Sequence, residues 1–166
     1  MAADLPFFDT SYLVRFYLED AGFEAVREFA RAERAIAAAW HAQSEVVAAL
    51  HRAFRERGMG QGAFQASLDQ FRDDNQDGIF HWLPLTDGVR KRVEQVFRKA
   101  PASVFLRSAD ALHLACAAEH GFKAVYSNDR HFLAAAPLFG LRGVNVIGSG
   151  LREQRTAYRV SRKPRS

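Results

Sequence analysis

The sequence predicts an α/β fold, built on a mostly parallel sheet covered on both faces. Short apolar runs alternate with stretches of helical period along the chain. The chain has 166 residues, 48% of them hydrophobic and 14 of them phenylalanine, enough for one domain with one packed core. Several apolar runs begin or end at an acidic residue, and in such sheets ligands bind beyond the carboxyl ends of the strands.

Residues 5–8 (Leu5-Pro6-Phe7-Phe8) are expected as a first buried strand, closed by Asp9. From Ser11, the residues Tyr12, Leu13, Phe16 and Tyr17 fall at helical spacing, and Gly22 breaks the pattern. Phe23, Val26, Phe29 and Ala30 mark a second short helix. Residues 35–39 are expected as the second strand, although alanine is a weak strand former. Residues 42–57 form an amphipathic helix with Val46, Ala49, Leu50, Ala53 and Phe54 on one face, and Gly58 and Gly60 stop it. Residues 62–73 give another helix, carried by Phe64, Leu68 and Phe71. Residues 79–83 read as a strand ended by Pro84. Thr86 caps a helix through Lys99 with Val89, Val93, Val96 and Phe97 inward, and Pro101 ends it. Ser108 caps the next helix, which runs to His120 and stops at Gly121. Residues 124–127 and 144–147 complete the strands.

The charge is unevenly placed. The whole chain carries +4, but residues 151–166 hold six basic residues (Arg152, Arg155, Arg159, Arg162, Lys163 and Arg165) against Glu153. Residues 1–150 are left near neutral, with 17 basic and 18 acidic side chains. The expected division is therefore a folded domain over 1–150 and a basic tail over 151–166. Such a tail is either a solvated terminus or a contact for nucleic acid or an acidic partner. No apolar run approaches the roughly 18 residues needed to span a membrane. The residues from Met1 to Asp4 lack the basic start of a secretory signal. A single cysteine, Cys116, excludes an internal disulfide and reads as a small buried hydrophobe. The expected setting is cytoplasmic.

Four acids stand out: Asp9, Glu45, Asp110 and Asp129. Asp9 and Asp129 follow proposed strands, and Glu45 and Asp110 fall in first turns of proposed helices, where negative charge is favoured. Each alone has a bland reading, as a helix cap, a first-turn charge or a turn residue. Together they point to a shared pocket. Two carboxylates about 4 Å apart repel by roughly 4 kcal/mol at an effective dielectric of 20. Such a group takes up protons or binds a cation, and an all-oxygen set suits a hard ion such as Mg²⁺, Mn²⁺ or Ca²⁺. An ion of this kind lowers the pKa of bound water and neutralises charge on a transferring phosphoryl group, which supports phosphodiester hydrolysis.

The segments Phe7-Phe8-Asp9-Thr10-Ser11, Glu45 on a helix, Ala109-Asp110-Ala111-Leu112-His113-Leu114-Ala115 and Ser127-Asn128-Asp129-Arg130-His131-Phe132 resemble, in that order, the PIN domain. In particular they resemble the VapC toxins of bacterial toxin–antitoxin pairs, over about residues 4–148. The resemblance implies a three-layer α/β/α sandwich and an endoribonuclease dependent on Mg²⁺ or Mn²⁺. It also implies a cognate antitoxin partner and a homodimer. Position by position, Asp9, Glu45, Asp110 and Asp129 match the acidic quartet that holds metal. Ser11 and Ser127 match nearby hydroxyls, and Asn128 precedes the last acid. One departure stands out: the family often carries Ser or Thr about six residues before the Glu, where this chain has Ala38-Ala39-Trp40-His41. Arg107 and Arg130 each neighbour a proposed ligand and are candidates to contact RNA phosphate.

Other patterns carry less. Asp73-Asp74-Asn75-Gln76-Asp77-Gly78 mimics the first half of a calcium loop, but its twelfth position is Pro84 rather than Glu. The six histidines show no zinc spacing, and His113 shares a helix face with Asp110. The alternative to a nuclease is a non-catalytic nucleic-acid-binding or adapter module whose metal site is idle. A phosphatase of similar architecture needs a second Asp two residues after Asp9, where Ser11 stands.

Overall fold

Phe7 and Phe8 join the two halves of the sheet. The computed structural model describes residues 2–148, so the tail expected at 151–166 lies outside the described residues. On one side, β1 (Ile36–Ala39) pairs in parallel with β2 (Phe80–Leu83). On the other, β3 (Ala124–Tyr126) pairs in parallel with β4 (Arg142–Val144). Between them, Phe7 bridges to Ala37 and Phe8 to Tyr126, both parallel. The Phe8 amide donates to the Ala37 carbonyl at 2.9 Å and the Tyr126 amide to the Phe7 carbonyl at 2.8 Å. A single parallel sheet results, in the order β2, β1, Phe7–Phe8, β3, β4. The expected first strand is present but only two bridges long, because Asp9 turns the chain directly into helix α1 (Thr10–Leu13).

Side chains alternate across this sheet and build two cores. Phe7, Ala37, Ala39, Leu83 and Val125 face one side, among residues of α5 (Asp87–Lys99), α6 (Ser108–Glu119) and α7 (Arg130–Ala135). Phe8, Ile36, Ala38 and Phe80 face the other. There they meet α1, α2 (Phe23–Arg31), α3 (Ala42–Glu56) and α4 (Gln61–Gln76). Helices on both faces make the three-layer α/β/α sandwich. β1 forms despite its alanines because all four of its residues are buried and α6 packs closely on it. Propensity yields there to packing.

Local signals explain most element ends. The Thr86 side chain accepts the Val89 amide at 3.3 Å, as its sequence position predicts. Thr86→Ala should lower stability by about 1 kcal/mol, read as a shifted urea midpoint with an unchanged slope. Ser108, expected as a cap, is instead the first helical residue. The cap position belongs to Arg107, whose side chain makes no capping bond and turns toward two carboxylates. The last strand, expected at 144–147, runs over Arg142–Val144. A Cβ on Gly143 would lie 3.1 Å from the Leu133 carbonyl oxygen, so a side chain there would press on α7. Asn145 leaves the sheet to accept the Tyr12 hydroxyl at 2.8 Å.

The polar run at 73–78 ends α4 and turns at Gly78, whose φ is 73°. Cys116 is fully buried, and burial pushes its thiol up to about 12. Among the described residues, no helix is long and apolar enough to cross a membrane.

Candidate active site

The carboxyl edge of the sheet gathers the acids into one cleft. A cavity of about 660 Å³ is lined by Asp9, Glu45, Asp110 and Asp129 together, with Thr10, Ser11, Arg107 and His113. Each acid reaches the cleft through a helix start. Asp9 and Asp129 are the N-caps of α1 and α7, while Glu45 and Asp110 lie in the first turns of α3 and α6. The bland reading as caps and the reading as a pocket are thus both realised by the same residues.

The two capping acids divide their oxygens. Asp9 Oδ1 accepts the Tyr12 amide at 3.2 Å and the Ser11 hydroxyl at 2.7 Å. Its Oδ2 accepts the Ser127 hydroxyl at 2.7 Å. Asp129 Oδ1 accepts the His131 and Phe132 amides at 2.8 and 3.2 Å, and its Oδ2 takes the Arg107 guanidinium at 2.7 Å. Ser127, fully buried, also accepts the Asp129 amide at 2.9 Å, so one hydroxyl ties the two acids together. Asn128 and Arg130 are exposed at the turn and the start of α7.

The electrostatics differ from acid to acid. Burial raises the Asp9 carboxyl above its ordinary 3.8, more than Ser11 and Ser127 lower it. Burial also works against Asp129, but the helix amides and Arg107 outweigh it and hold the group below its ordinary value. Burial opposes ionisation of Glu45 as well. His113, at 2.7 Å, and the Thr10 hydroxyl overcome it and pull the group down to about 2. Arg107 bridges Asp110 at 2.8 Å and Asp129 at 2.7 Å.

The quartet shares a cleft but is not drawn to coordination distance. Among the described residues, the metal-like group whose donor atoms all lie within 4.8 Å is His41, Glu45 and His113. Still, the site fits a hard divalent cation. Asp9 is a buried carboxylate whose side-chain partners are hydroxyls and an amide, with no cation bonded to it. Arg107 places a positive charge between Asp110 and Asp129, where a cation would serve the same end. Asp9, Glu45, Asp110 and Asp129 are the residues able to hold the ion.

Sequence reasoning did not single out Thr10, which bonds Glu45 and lies 3.3 Å from His113. Its place right after Asp9, at the opening of a helix, is the signal that could have found it. Arg52 and Arg55, two and three turns along α3 from Glu45, also line the cleft. Their seven- and ten-residue spacing from Glu45 marks one helix face, legible once Glu45 is placed.

The family model for the PIN domain matches residues 7–137 of this chain. No curated protein matches the sequence. Among solved structures the chain is similar to VapC20 of Mycobacterium tuberculosis, described as a sarcin–ricin loop cleaving toxin. The two are 18% identical, with a TM-score of 0.59, over 78% of this chain and 93% of that one. At that identity the likeness concerns the fold.

Proposed function

Because the chain belongs to the PIN domain family, we propose that it is a divalent-metal-dependent endoribonuclease, the toxin of a toxin–antitoxin pair. The observation that carries this reading is the meeting of four carboxylates in one cleft at the carboxyl edge of the sheet. The similar M. tuberculosis protein cleaves a structured RNA loop, which supports RNA as the substrate class.

In this reading Asp9, Glu45, Asp110 and Asp129 hold Mg²⁺ or Mn²⁺. The ion supplies an acidified water and charge neutralisation at phosphorus. Ser11 and Ser127 each bond one oxygen of the Asp9 carboxylate and so fix its orientation at the cleft. Arg107, which bridges Asp110 and Asp129 at the cleft, would be within reach of a substrate phosphate there. Arg52 and Arg55, farther along the cleft, suit the phosphates of a bound strand, and exposed Arg130 stands at its edge.

The test is cleavage of structured and single-stranded RNA with Mg²⁺ or Mn²⁺, with chelator, and with an Asp110→Asn protein that still folds. Cleavage by wild type with metal, absent with chelator and in the variant, is the expected result. RNA binding that survives chelation with no cleavage under any metal would instead support the non-catalytic module. The same reading carries a cognate antitoxin, a homodimer and a cytoplasmic setting. Co-purification with a small DNA-binding protein encoded beside this chain tests the first of these.

A further inference from the structure

Adjoining the acidic set, and sharing Glu45 with it, lies a second group of donors. His41 immediately precedes α3, and Glu45 lies one turn on. His113 sits on α6, one turn after Asp110. His113 Nε2 is 2.7 Å from Glu45 Oε2. The His41 and His113 rings are packed with centroids 4.1 Å apart, tilted by 44°. One donor atom from each of the three residues falls within 4.8 Å of the others. Glu45 and His113 line the cleft, and the Glu45 side chain is 32% exposed to it.

Hydrogen bonding within the protein leaves this group incomplete. Both ring nitrogens of His41 and Nδ1 of His113 are buried without a well-formed partner. The backbone of Ala109 exerts only the weakest of the influences on His41. A buried polar atom left unpaired costs about 1–3 kcal/mol, so three of them in one spot call for a missing partner. His41 occupies the cap position of α3 but its side chain makes no capping bond, so helix capping does not supply the partner.

Two imidazole nitrogens and one carboxylate oxygen are a donor set for borderline transition ions rather than for Mg²⁺ or Ca²⁺. Ligand bonds of about 2.0–2.1 Å place tetrahedral donors roughly 3.4 Å apart. The His113–Glu45 pair, at 2.7 Å, would open to admit an ion, and all three donors already lie within 4.8 Å of one another. We propose that His41, Glu45 and His113 form a binding site for one transition-metal ion of the zinc class, distinct from the acidic set and sharing Glu45 with it. Occupancy withdraws Glu45 from the hard-ion set, so the two ions compete for that one side chain. The inference stands on the geometry of these three residues and does not require RNA cleavage.

Cobalt(II) and zinc(II) are the probes, used on the full chain. Wild type should bind one equivalent of Zn²⁺ by calorimetry and give the intense visible absorption of four-coordinate Co²⁺, bleached by added Zn²⁺. A protein carrying Asp9→Asn and Asp129→Asn, which disables the acidic set but leaves Glu45, should keep that absorption. His41→Ala, at a half-buried turn position, should weaken Zn²⁺ binding by about tenfold or more and abolish the Co²⁺ band. His113→Gln should do the same, with circular dichroism confirming that both variants are folded. An unchanged Zn²⁺ titration in His41→Ala would overturn the proposal, as would loss of the Co²⁺ band in the doubly substituted protein. Absence of Zn²⁺ binding to wild type would overturn it as well.

Discussion

Asp9→Asn is expected to abolish metal-dependent RNA cleavage and, in chelator, to make the protein melt at a higher temperature. The two effects have one cause. Asp9 is held almost without exposure, and burial raises its carboxyl above the ordinary 3.8. A group whose native pKa exceeds its unfolded value favours the fold while protonated. That contribution is complete below the unfolded value and is lost as pH rises through the native one. At neutral pH without metal, the ionised carboxylate is therefore a burden, which Asn removes while the Ser11 and Ser127 hydroxyls reorient to bond the amide. The gain would appear as a higher melting temperature, by roughly 2–4 °C for each kcal/mol in a chain of this size. The difference between variant and wild type should shrink as pH falls from neutral through the raised native value toward the ordinary 3.8. Added Mg²⁺ should raise the melting temperature of wild type and leave the variant nearly unmoved, because only the wild-type site gains from the ion. Cleavage should fall about a thousandfold or more, the scale of several kcal/mol of lost charge stabilisation. A variant that melts lower than chelated wild type at pH 7 would contradict the reading of Asp9 as an unneutralised buried charge.

Phe8→Ala is expected to cost about 3–5 kcal/mol, a large share of the roughly 5–15 kcal/mol that a domain has in total. Phe8 is fully buried, and its ring meets Tyr12, Phe16, Phe29 and Tyr126 at centroid distances of 5.1–6.3 Å. It also supplies the backbone bridge to β3. Truncation opens a cavity where the sheet is narrowest, one residue from Asp9. Urea unfolding measures the loss. Phe105→Ala is the control: its side chain is 57% exposed, and the change should stay within about 0.5 kcal/mol. A Phe8→Ala cost no greater than the control's would mean that the ring cluster does not hold the sheet halves together.

Much of this fold is legible in the sequence, for identifiable reasons. Helices over 42–57 and 86–99 declare themselves by apolar period and by Thr86. The alanine strand is readable only because helical periods flank it. The last strand is legible but its bounds are not: Arg142-Gly143 lacks an apolar signature, and the close approach of Gly143 to Leu133 is created only by the tertiary structure. The cap of α6 is misjudged because Ser108 has the right chemistry, while backbone geometry gives the position to Arg107. In the site, the acids are visible from the sequence because charge at the end of a buried run has few explanations. The links among them are not visible, since Arg107 between two carboxylates and Thr10 against Glu45 join distant parts of the chain.

The two-residue centre of the sheet also bears on how the polypeptide matures. Phe7 and Phe8 lie early in the chain, yet their neighbours on either side are Ala37 and Tyr126. During translation this segment can acquire its first flank soon after it emerges, but its second only after more than a hundred further residues have been made. Because Asp129 follows that second flank, the assembled cleft is a late product of synthesis. A partly made chain therefore has no complete acidic cleft until synthesis has reached its last quarter.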